Sequence, residues 1–188
     1  MSEEDKKLVL RLSVWGAVFV IVLGTLDHFF YDWSGQNFIV GLFSPVNESV
    51  WEHMKLVFVP MILFAFIDYY YLKSRVKDYC FALMKEIGFA IIFIIAVFYI
   101  YTSIIGHSVL VVDISSFIIA VILAKLFAYK ILTGGFKQWE FKGLDTISAI
   151  LLFLIAVFFL YVTINPPHVG LFKDPVTDTY GIYELSAN

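Results

Sequence analysis

Five long apolar stretches run through the chain, each separated from the next by a short polar join. They cover about Leu8 to Tyr31, Val50 to Leu72, Phe81 to Ile105, Asp113 to Leu132 and Asp145 to Ile164. An α-helix needs about 20 apolar residues to cross a hydrocarbon core of about 30 Å, and each stretch meets that length. The joins carry breaker and cap chemistry. Pro45 precedes the second stretch, Asp113 and Asp145 suit N-caps, Gly134-Gly135 closes the fourth, and Pro166-Pro167 ends the fifth. Tyr69, Tyr70 and Tyr71 suit a headgroup belt at the end of the second. The pattern predicts an all-α, polytopic integral membrane protein. It is one transmembrane domain over residues 1–188, a bundle of about five helices, with residues 165–188 as a tail.

Composition agrees. Hydrophobic residues make up 61% of the chain and charged residues 15%, with a mean hydropathy of +0.86; soluble domains carry about 25% charge. No room is left for a separate soluble domain. Glu3, Glu4 and Asp5 come first and no small-residue cleavage site follows the first apolar run, so that run reads as a retained span rather than a signal peptide. The single cysteine, Cys80, excludes an internal disulfide and a multi-cysteine metal site, and inert packing is its expected role. A net charge of −3 without a basic patch argues against nucleic acid.

The charges give an orientation. Lys6, Lys7 and Arg11 flank the first span, Lys73, Arg75, Lys77 and Lys85 lie around the second join, and Lys130, Lys137 and Lys142 lie around the fourth, with Lys125 expected to snorkel toward them. Only Lys55 and Lys173 remain for the other side. Positive residues concentrate on the cytoplasmic side, which predicts a cytoplasmic N-terminus and an extracytoplasmic C-terminus. The segment 136–142 reads as an amphipathic connector along the inner interface.

All four histidines, His28, His53, His107 and His168, fall at the other ends of the predicted spans. Gly24, Asp27, His28 and Tyr31 share one helical face. An aspartate and a histidine a turn inside an apolar stretch are costly toward lipid, so they are expected to face the bundle interior or a wet cavity. The run from Ser44 to Lys55 holds Asn47, Glu48, Trp51, Glu52, His53 and Lys55; within it Ser49-x-x-Glu52 reads as a capping box. His107 sits in the short turn before Asp113, and His168 follows the two prolines. The tail beyond it is rich in aromatic and apolar residues, which predicts an ordered cap over the outer face.

Imidazoles with carboxylates suit zinc or another first-row divalent ion. The expected ligands are His28, His53, His107, His168 and Asp27, with Glu48 or Glu52 as acid/base. Asn47 or Lys55 would steady an anionic headgroup, with Trp51 and Tyr31 lining the substrate side. This composes a metal-dependent hydrolase acting on a membrane lipid or lipid-linked substrate. Two alternatives stand beside it. One is binding or transport of a small anion, lipid headgroup or metal ion, for which a homo-oligomer would serve. The other is a structural accessory subunit docked on a membrane partner protein. No His-Glu-x-x-His is present, so any site must be assembled from several helices.

Three segments carry a resemblance: Asn47-Glu-Ser-Val-Trp-Glu-His-Met-Lys55, Asp27-His-Phe-Phe-Tyr31, and Pro166-Pro-His-Val-Gly-Leu-Phe-Lys-Asp-Pro175 with Tyr180-Gly-Ile. With these the chain resembles a family of small multi-pass membrane proteins of unknown function, found mainly in anaerobic Gram-positive bacteria. The resemblance covers almost the whole chain. It implies a bacterial plasma membrane and brings no reaction, cofactor or catalytic residue. Alkaline ceramidases and adiponectin receptors also hold zinc with histidines in a helical bundle, but no motif here matches theirs, and the likeness is one of chemistry alone.

Overall fold

Apolar runs with few breakers fold as helices in which every backbone N–H finds a carbonyl within its own segment, the arrangement hydrocarbon demands. A computed structural model describes residues 1–135 and 141–182. Its helices are α1 (Glu3–Trp33), α2 (Phe38–Gly41), α3 (Val50–His53), α4 (Lys55–Leu72), α5 (Tyr79–Ile105), α6 (Leu110–Leu132) and α7 (Leu144–Ile164). Counting α3 and α4 together, five are long and apolar enough to cross a membrane. The segment 136–142, expected as a connector, lies largely outside the described residues.

The helices alternate in direction, as contacts at the two ends of the bundle show. At one end Arg75 Nη1 pairs with Asp5 Oδ1 at 2.8 Å, and the start of α5 meets the start of α7. At the other end the C-terminal part of α1 meets α3, and the backbone N–H of Trp51 donates to the carbonyl of Leu171 at 3.0 Å. Lysines and arginines crowd the first end; the four histidines lie toward the second.

Two predicted caps are built differently. Asp113 and Asp145 do not cap their own helices, which begin after Val109 and Gly143. Asp145 Oδ1 instead accepts from the backbone N–H groups of Cys80 and Phe81, so it caps α5 from α7. Asp113 Oδ1 accepts from the Tyr101 hydroxyl and ties α6 to α5. Each carboxylate finds a donor on a neighbouring helix in place of its own first turn. Gly134 closes α6 with a φ of 79°, and α7 stops at Ile164, before the prolines, as expected.

Small residues let the helices close: Gly16, Gly24, Ala90, Ala120, Ala124 and Ala128 are all buried, beside larger core side chains such as Phe58, Met61 and Leu72. Large apolar side chains such as Phe66, Ile104 and Phe153 point outward. Small residues let helix backbones approach closely, which is how helices associate when the surroundings are as apolar as their side chains.

The chain after α7 folds back as a cap. The N–H of Ile182 donates to the carbonyl of Thr163 at 3.1 Å, and the Ile182 side chain joins Tyr31 and Val46 in a small apolar cluster. Phe172 packs on Trp51, with ring centroids 4.9 Å apart. The cap reaches at least to Ile182; residues 183–188 lie outside the described residues.

Candidate metal centre

Proximity at the histidine end begins with a glycine and a proline. Pro60, inside α4, has no N–H to give the carbonyl of Leu56, its partner four residues earlier. Gly24 of α1 lies against that carbonyl: a Cβ on residue 24 would sit 2.3 Å from Leu56 O. The two backbones therefore touch. One turn beyond Gly24 comes His28, and three residues before Leu56 comes His53.

The imidazoles meet. His28 Nε2 and His53 Nε2 are 3.3 Å apart. Glu48, in the loop just before α3, places Oε2 3.3 Å from His53 Nε2 and Oε1 3.7 Å from His28 Nε2. The His53 ring is fixed from behind, because its Nδ1 lies 2.9 Å from the carbonyl of Ser49. A carbonyl only accepts, so Nδ1 carries a proton, and the neutral ring has its lone pair on Nε2, the nitrogen that faces His28 and Glu48. All three side chains are about a third to a half exposed, which leaves the group open to water. His28 foremost, then His53, hold the Glu48 carboxyl well below the usual carboxylate range.

These spacings fit a metal. With zinc–nitrogen and zinc–oxygen bonds of about 2.0–2.2 Å, two ligand atoms of a tetrahedron lie about 3.3–3.5 Å apart. The three measured separations bracket that edge, and the described residues hold one such group, His28, Glu48 and His53.

The other residues expected at the site take other places. His107 is exposed in the turn between α5 and α6. His168 stacks on Tyr180, with centroids 4.3 Å apart and planes 5° from parallel. Neither is part of the group. Asp27 is buried and accepts from the Ser44 hydroxyl through Oδ1, so it anchors the loop after α2. Its Oδ2 has no hydrogen-bond partner among the described residues.

Glu52 and Lys55 lie inside. The Lys55 ammonium is fully buried and 2.6 Å from Glu52 Oε2. It also donates to the carbonyls of Gly41 and Ser44, at 2.9 and 3.2 Å, so all three of its protons are used. Glu52 Oε2 further accepts from the N–H of Val46. The capping box is half made: Ser49 Oγ accepts from the Glu52 N–H, but the Glu52 side chain turns to Lys55. Ser49 N–H is taken by Asn47 Oδ1 instead. Glu48 precedes the helix that carries Glu52, so the two carboxylates face different surroundings.

Trp51 is wedged among Phe158, Phe159 and Phe172, and Tyr31 is buried against Val46 and Ile182. The Asn47 amide nitrogen is buried without an acceptor among the described residues. Of the residues expected to touch substrate, none presents an open side chain. A second polar cluster, Asp68, Glu86 and Lys125, lies toward the basic end and was missed as a unit. Its signal was present in the sequence, since each is an ionisable residue inside an apolar run. Lys125 does not snorkel; it is 4% exposed and points inward.

Comparison with known proteins decides the family. The model of a family of unknown function, DUF6512, matches residues 1–182. The chain belongs to that family. No curated protein and no solved structure matches it.

Proposed function

We propose that this member of the family binds a divalent first-row metal ion, zinc foremost, through His28, Glu48 and His53, and uses it to hydrolyse a membrane lipid or lipid-linked substrate. The observation that carries the reading is the spacing of the three ligand atoms, 3.3, 3.3 and 3.7 Å, on a ring whose tautomer is already set for coordination. Three protein ligands leave a fourth position for water, as catalytic rather than structural zinc sites do. A zinc ion held there would lower the pKa of a bound water to about 7 and so supply hydroxide.

The division of labour departs from the sequence expectation. Glu48 is a ligand rather than an acid/base. Glu52 is held by Lys55 and braces the loop that carries Glu48. The charge pattern supports an orientation with the basic end in the cytoplasm and the metal site at the outer leaflet; that the membrane is a bacterial plasma membrane rests on the resemblance alone. Metal binding without turnover is the second reading, favoured by the engagement of Glu52 in an internal ion pair.

The test is hydrolysis in phosphatidylglycerol/phosphatidylethanolamine vesicles holding the zinc-loaded protein. Release of water-soluble headgroup or fatty acid, abolished by a chelator and by His53→Ala, supports the enzyme. Retained zinc with no product from these or lipid-linked substrates supports the second reading.

A further inference from the structure

The second cluster lies between α1, α4, α5 and α6, well away from the metal centre. Asp68 of α4, Glu86 of α5 and Lys125 of α6 are 8%, 4% and 4% exposed. They line a small cavity of about 10 Å³ with Ser13, Tyr79 and apolar residues such as Leu83. About one water fits such a volume. Gly16 makes the room: a Cβ there would lie 2.8 Å from Lys125 Nζ and 2.7 Å from Phe64. Two carboxylates and one ammonium leave a formal charge of −1 in a helix seam, and an unbalanced buried charge is strongly disfavoured.

The hydrogen bonds say which carboxylate carries the imbalance. Lys125 Nζ is 2.9 Å from Glu86 Oε1 but 3.8 Å from Asp68 Oδ2. The Glu86 contact is ionic and too bent to count as a hydrogen bond. The Tyr79 hydroxyl donates to the carbonyl of Ala65, and the Ser13 hydroxyl to the carbonyl of Val9. Both hydroxyl protons are therefore spent, and Asp68 Oδ1 has no donor.

The remaining charged and titratable groups stand off. α1 contributes only Ser13 among the cavity's polar side chains. α5 contributes Tyr79 and Glu86, and α6 contributes Lys125. Asp145, from α7, is held by the N–H groups at the start of α5, beside Cys80. No second cation reaches Asp68 among the described residues.

We propose that Asp68, Glu86 and Lys125 form an intramembrane proton-binding site, with one proton held on Asp68 and the ionic pair formed by Glu86 and Lys125. A neutral Asp68 turns an orphaned acceptor into a donor. The cluster then carries no net charge.

Infrared spectroscopy of the purified protein tests this directly. The wild type near neutral pH is expected to show the carbonyl stretch of one protonated carboxylic acid, downshifted in deuterium oxide and lost on raising the pH. Asp68→Asn, which mimics the neutral acid, is expected to abolish the band and keep wild-type thermal stability; Glu86→Gln is expected to lower that stability. Absence of the band from the wild type overturns the proposal without any variant. So does a band that persists in Asp68→Asn, or one that sodium or potassium chloride displaces where choline chloride does not; the last would make the site one for a monovalent metal cation.

Discussion

Gly24 in α1 packs on the backbone carbonyl of Leu56 in α4, the carbonyl that Pro60 leaves without its helical donor. This contact fixes the approach of α1, which carries His28, to α4, which follows directly on the α3 turn that carries His53. A methyl group on residue 24 would meet both that carbonyl and the Phe117 ring, at 2.3 and 2.8 Å, and backbone cannot step aside as a side chain can. Gly24→Ala is expected to cost about 1–3 kcal/mol, the usual range for overpacking. It should also weaken zinc binding although residue 24 is no ligand. Thermal unfolding in detergent and a zinc titration check the two effects separately.

The Glu52–Lys55 pair should behave as a braced internal ion pair rather than as part of the reacting group. Removing one partner of a buried pair leaves the other charge uncompensated, at a cost of about 3–5 kcal/mol. Lys55→Met and Glu52→Gln are each expected to destabilise on that scale. The double variant should lose clearly less than the two losses added together, as measured by a double-mutant cycle in denaturant.

Acid should strip the metal before it neutralises Glu48. Imidazoles ligate metal only when deprotonated, so protons compete with zinc for the site. Glu48 is held well below the carboxylate range by His28 and then His53. A depressed carboxyl stabilises the fold above its ordinary pKa and loses that contribution as pH falls through its folded-state value. Zinc affinity is expected to fall as the pH is lowered from neutral, and Glu48→Gln to destabilise the metal-free protein near neutral pH, with the difference from wild type shrinking only in strong acid. Competition with a chelating dye and melts across pH measure both.

His107 and His168 should be dispensable for metal. His107→Ala is expected to change neither zinc content nor stability measurably. His168→Ala loses its stack on Tyr180, so it should loosen the cap after α7 while leaving the zinc content intact. Limited proteolysis after Lys173 reads the cap, and elemental analysis reads the metal.

The helices were legible because an apolar run of membrane length has few other ways to fold. The bounds of α5, α6 and α7, and of α3 and α4 taken together, lie within about three residues of their sequence-read positions. What escaped was partner choice. Asp145 and Asp113 look like local caps, but a carboxylate's hydrogen bonds are settled by whichever donor the neighbouring helix delivers. Lys125 looks like a snorkelling residue until Gly16 is seen to leave space for it inside. At the candidate metal site the sequence brought four histidines to one end of the bundle, but only close helix approach selects two. Gly24 and Pro60 make that approach, and neither bears any chemistry that a search for ligands would notice.

Metal stoichiometry tests the central claim most directly. Elemental analysis of the detergent-purified wild type should give close to one zinc per chain. The double variant His28→Ala, His53→Ala should give none, while His107→Ala, His168→Ala should match the wild type. No metal in the wild type after zinc loading, or zinc retained in the His28, His53 variant, would contradict the assignment.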